Sequence, residues 1–204
     1  MSINKLHLLA AAALMAGGLM LGYGYISHPA GATPEIVASS SWIAIHAVFM
    51  GSLMAGLLGA TGLYLRTATQ TGVLGLTGFL AVFIGMILIA GLDYYEFLIV
   101  PRLAVEFPEV VERYGAGDTM GAVAIAFPLS GLLTVAGFAI LGIVTLRAGA
   151  LPRLPLLALI ATSVAFGIGL SPLADIAIAR VAAALFGLAL IWVGTAYWRS
   201  LPGT

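Results

Sequence analysis

Residues 93–118, DYYEFLIVPRLAVEFPEVVERYGAGD, hold six of the eight carboxylates in the chain and interrupt a sequence that is otherwise apolar and nearly uncharged. Before this stretch runs GVLGLTGFLAVFIGMILIAGL (72–92), and after it MGAVAIAFPLSGLLTVAGFAILGIVTL (120–146). A helix needs about 20 apolar residues to cross roughly 30 Å of hydrocarbon, and both runs meet that length. Neither alternates with a period of two, which a membrane barrel would require. The acidic stretch is therefore the point where two membrane crossings meet water.

The whole chain has the same character. Its 204 residues are 62% hydrophobic and 8% charged, with a mean hydropathy of +1.14. That leaves too little polar surface to cover a soluble globule. Backbone amides in hydrocarbon must be satisfied within the segment, so the expected class is an all-α integral membrane protein. The predicted architecture is a single transmembrane domain over 1–204, a six-helix bundle with helices near 6–26, 41–65, 73–100, 120–146, 154–170 and 176–198. A short amphipathic segment, 101–118, lies on the outer face after the third helix and is broken at Gly115 and Gly117. It is too short to enclose a core of its own. The N-terminal run resembles a signal peptide in outline, but its length favours a retained helix. Ser41 is the expected cap of the second helix, and Pro128 interrupts the amide ladder of the fourth.

Lys5, Arg66, Arg147, Arg153 and Arg199 fall at one set of helix ends, and Arg102, Arg113 and Arg180 at the other. The bias toward short basic loops places the first set, with both termini, in the cytoplasm. All eight carboxylates then lie outside. No cysteine is present, which excludes disulfides and thiolate metal sites. A net charge of zero gives no footing for a nucleic-acid partner.

The strings GLYLR, GFLAVFIGMILIAGLDYYEF, VPRLAVEFPE and LRAGALPR resemble a widespread group of small bacterial polytopic membrane proteins of about six helices, over roughly His46 to Arg199. The group has no assigned activity, so the resemblance implies only a setting, the bacterial inner membrane.

Small residues recur at four-residue spacing: Gly18 and Gly22 on the first helix, and Ser52, Gly56 and Ala60 on the second. Such stripes let helices approach closely, either within the bundle or against a partner. No charge falls near the middle of any predicted helix, which removes the usual machinery of ion-coupled transport. His46 is the one histidine more than a turn inside a predicted helix, His7 lying at the very start of the first. It suits either a haem ligand in a bundle or a histidine bonded to a carbonyl or an outer carboxylate. His28 and His7 make poor second ligands by position. Asp93 and Glu96 share a helix face, with Tyr94 turned aside. With His46 at the same depth they form a candidate ligand, metal or acid–base site, to which Arg102 and Arg180 belong either as members or as plain ion-pair partners. No nucleotide, hydrolase or metalloprotease motif occurs.

The leading expectation is a non-enzymatic accessory subunit that packs in the lipid bilayer against a larger membrane complex or further copies of itself, with no cofactor. The alternative is a binder or carrier of a small lipophilic or cationic ligand at the outer polar group. A haem-bearing redox protein is the second alternative.

Overall fold

The computed structural model describes residues 3–115, 121–171 and 174–202. In chain order the helices are α1 (Ile3–Ser27), α2 (Pro34–Val37), α3 (Ser40–Leu98), α4 (Val100–Glu106), α5 (Pro108–Tyr114), α6 (Val123–Arg147), α7 (Arg153–Gly169) and α8 (Ile176–Arg199), with no strand among the described residues. Gly117, Asp118, the expected helix start at Met120 and Pro172 lie outside the described residues. Four stretches are long and apolar enough to cross a membrane: Asn4–Ser27, Ser40–Glu106, Val123–Arg147 and Ile176–Arg199. The apolar α7 has 17 residues.

The sequence places a polar turn at 66–72, between two separate helices. The structure instead carries helix almost through it. Thr67 Oγ1 donates to Leu63 O at 3.2 Å and Thr71 Oγ1 to Thr67 O at 3.0 Å, so both hydroxyls are absorbed by the helix they sit on. The reversal falls on one residue, Gly72, with φ 53° and ψ −142°, a conformation that glycine adopts without Cβ strain. The two arms of α3 then fold back on each other, stacking Tyr64 on Phe79 with centroids 4.8 Å apart.

α1 packs on α3 and α8, α3 on α6, α6 on α7, and α7 on α8. These contacts close a ring of α1, the arms of α3, α6, α7 and α8. Small residues make it tight. A Cβ on Gly18 would stand 2.4 Å from Gly187 O, and one on Gly137 2.5 Å from Val82 N. Gly22 faces Ala184, Gly56 faces Met86, Ser52 Oγ donates to Gly17 O at 2.9 Å, and Ala60 is fully buried. Both predicted small-residue stripes are thus used inside the chain.

One half of the ring is solid. Leu14, Leu63, Phe138, Leu141, Leu156, Leu159 and Val193 fill it, and Tyr197 locks its end. The Tyr197 hydroxyl donates to Gly62 O at 2.9 Å and lies 2.5 Å from His7 Nδ1. The Arg66 guanidinium covers the Tyr197 ring at 5.3 Å. Lys5, Arg147, Arg153 and Arg199 share this end, the basic end, as the alternating direction of the helices requires.

At the opposite, acidic end the structure corrects two expectations. The cap of α3 is Ser39, whose side chain accepts from Trp42 N at 3.2 Å, and the helix starts at Ser40 rather than Ser41. The segment after α3 also encloses a small core. Val100, Ala104 and Val111 of α4 and α5 bury against Val37 and Trp42. The segment alone is too short, but the α1–α3 loop supplies the other wall, with Thr33 capping α2. This second core fixes the rim of the cavity beneath it.

Candidate functional site

Two helical faces meet under that cap. Trp42, His46 and Phe49 follow i, i+4, i+7 spacing on the first arm of α3, and Ile89, Asp93 and Glu96 follow the same spacing on the second, so each trio lines one face. Because the arms are antiparallel about Gly72, the faces confront each other at the acidic end. Tyr25 and His28 arrive from the end of α1, Phe127 from α6, and Ile176 and Ala179 from α8. Together they line a cavity of about 480 Å³, within the size range of small-molecule sites.

His46 is 3% exposed and both of its ring nitrogens are engaged. Nδ1 lies 2.9 Å from Trp42 O and Nε2 lies 2.9 Å from Glu96 Oε2. A carbonyl can only accept, so Nδ1 carries hydrogen. One proton is then shared between Nε2 and the carboxylate, and the pair is neutral overall whichever atom holds it. Trp42 braces both partners. Its ring stacks on His46 with centroids 4.5 Å apart, and its Nε1 donates to Glu96 O at 3.1 Å. A haem iron at His46 would have to displace one of these contacts.

Asp93 is 8% exposed, lines the same cavity, and its Oδ2 has no hydrogen-bond partner. Buried polar atoms are satisfied in the great majority of cases, and an unmet carboxyl oxygen is costly. No neighbouring arginine relieves it. Arg102, 74% exposed on its side chain, pairs with Glu106 one turn on, and Arg180 donates from Nη2 to His28 O at 2.5 Å. Tyr94 points away and is 54% exposed. Of the predicted site residues the structure therefore brings together His46, Asp93 and Glu96. It holds Arg180 at the rim and leaves Tyr94 and Arg102 outside.

His28, set aside by its position in the sequence, packs against His46 with centroids 5.3 Å apart. Its Nδ1 lies 2.8 Å from Pro29 O and so carries hydrogen. Burial holds this imidazole below the usual histidine range, outweighing the upward pull of the Pro29 carbonyl and Glu96. In that neutral form its Nε2 presents a lone pair. Tyr25, His28, Phe49 and Phe127 are the members that sequence reasoning missed. The Trp42–His46–Phe49 spacing was a usable signal, whereas the arrival of Tyr25 and His28 depends on how α1 packs.

Beneath this cavity lies a chamber of about 80 Å³, which shares Tyr25, Phe49 and Ile89 as walls and reaches Ser52, Gly56, Met86, Thr134, Phe166 and Phe186. Its hydroxyls are spent. Ser52 bonds Gly17 O and Thr134 bonds Ser130 O, each at 2.9 Å, so the chamber is apolar in effect. The stack of Phe166 on Phe186, with Phe138 at its edge, stands between it and the solid half of the ring. Among the described residues no three His, Asp or Glu side chains converge as a metal-binding group.

No family model, curated protein or solved structure matches this chain.

Proposed function

We propose that this protein binds a small amphiphilic ligand in the cavity at its acidic end, as a receptor or carrier. The observation that carries the reading is Asp93, a buried carboxyl group with an unpartnered oxygen in the wall of an aromatic-lined cavity of ligand size. Apolar walls with a few convergent polar groups are the usual make-up of such sites. The setting is a bacterial inner membrane crossed six times, by α1, each arm of α3, α6, α7 and α8. Both termini are cytoplasmic and the cavity opens outward. The support for that orientation is the five basic residues at one end against three at the other.

The accessory-subunit reading rests on the absence of mid-helix charge and of catalytic motifs together with abundant small-residue helix faces. Those faces are occupied within the chain, so the ligand reading is preferred. The test is a thermal-shift screen of the purified full chain against amphiphilic compounds, repeated with the Asp93→Asn, Glu96→Gln double variant. Compounds that raise Tm for the wild type and not for the variant support the reading. Equal shifts in both exclude the acidic-end cavity.

A further inference from the structure

We infer that the ligand is a protonated lipophilic amine, a monocation whose N–H is directed at Asp93 and whose short apolar tail enters the chamber below. This rests on the ligand-binding reading just given and narrows it to one chemical class. Three observations carry it.

The polar wall wants a hydrogen-bond donor. Asp93 Oδ2 lacks one, the neutral His28 offers a lone pair at Nε2, and the indole N–H of Trp42 is already given to Glu96 O. The charge of the wall calls for a cation. His46 and Glu96 cancel as a pair and the Arg180 guanidinium at the rim is given to His28 O, which leaves Asp93 as the carboxyl group of the wall with an unmet oxygen, and such a buried group ionises when a cation is brought beside it. Tyr25, Trp42 and Phe49 supply ring faces, the surface a desolvated ammonium prefers. An N–H is specifically needed, because a quaternary ammonium has no hydrogen to give to Oδ2.

The third observation is the chamber. It adjoins the head-group cavity across Tyr25, Phe49 and Ile89, side chains that the tail must part to enter, and has no free hydroxyl at Ser52 or Thr134. A space of about 80 Å³ admits several water-sized groups. A short unbranched chain fits it, and the Phe166–Phe186 stack limits its length.

Trp42 reports on the site directly. In full-length protein carrying Trp192→Phe and Trp198→Phe, reconstituted in lipid nanodiscs, n-hexylamine is titrated against Trp42 fluorescence, alongside 1-hexanol and hexyltrimethylammonium. The expected result is saturable binding of the amine, with the alcohol and the quaternary ion each at least roughly tenfold weaker, the loss expected for a missing charge-assisted hydrogen bond. Asp93→Asn should weaken the amine by a similar factor while leaving the alcohol unchanged. Leu21→Phe, which narrows the chamber and leaves Asp93 alone, should shift the preference from hexylamine to butylamine, and it keeps the test open if the Asp93 variant does not fold. Equal affinity for amine and alcohol, insensitive to Asp93, would overturn the amine assignment and leave the ligand-binding reading standing. Failure of every compound to perturb Trp42 saturably would overturn both.

Discussion

Gly18→Ala is the sharpest test of how the ring is held together. The added methyl would sit 2.4 Å from Gly187 O and 3.0 Å from Leu190 Cβ. Carbon contacts are comfortable near 3.5–4.0 Å, so α1 and α8 must part by about 1 Å, and the obstacle is backbone, which cannot rotate away. Overpacking of this kind costs about 1–3 kcal/mol. Against it stands the gain of about 1 kcal/mol from replacing a helical glycine by alanine, for a net loss of up to about 2 kcal/mol. At roughly 2–4 °C per kcal/mol for a chain of this size, Tm should fall by up to about 8 °C. One turn along, Gly22→Ala meets Ala184 Cα at 3.6 Å, an ordinary contact, so it keeps the helix gain and should be neutral or stabilising by up to about 1 kcal/mol. Thermal melts of both variants by circular dichroism in mild detergent, with size-exclusion profiles, decide the matter. If Gly18→Ala melts at or above the wild type and instead alters the oligomer profile, the stripe faces another chain and the internal seam is refuted.

Three further outcomes follow from particular contacts. Gly72→Ala should destabilise by about 1–3 kcal/mol in the same melts, because nothing crowds the position and the cost is that of a backbone conformation, φ 53° with ψ −142°, that side-chain-bearing residues rarely adopt. Tyr197→Phe leaves the Gly62 carbonyl and His7 without their shared partner, a loss of about 1–3 kcal/mol visible as faster exchange of basic-end amides. His28 has a lowered folded pKa, so the unfolded chain binds more protons at acid pH. Its contribution is therefore complete above the unfolded value near 6.5 and is lost as pH falls through that value and then the folded one. His46, Glu96 and Arg180 face it, and Tm plotted against pH should drop less steeply on the acid side in His28→Gln.

The sequence carried the helices well because their limits are set by length and by charge, both local properties. α6 and α8 fall within a few residues of the apolar runs that predict them. It misjudged 66–72, where threonines that suit a turn bond back into a helix, since only tertiary folding decides between the two. The small core under α4 and α5 was hidden for a related reason. Its walls come from segments more than 60 residues apart, Val37 against Val100 and Val111, and neither is long enough to announce a core alone. In the site, His46, Asp93 and Glu96 were legible because ionisable residues near a membrane helix are costly and so conspicuous. His28 and Tyr25 were not, because their inclusion depends on the angle at which α1 meets α3, set by the Gly17 and Gly59 contacts and invisible in any local pattern.

The central claim is that Asp93 and its cavity hold a ligand. Native mass spectrometry of the tagged full chain, released from a mild detergent extract of the membranes that produce it, measures this most directly when wild type and Asp93→Asn are run side by side. The account predicts a reproducible small-molecule adduct on the wild type that is lost or much reduced on the variant. A bare wild-type chain, or the same adduct on both, would contradict it.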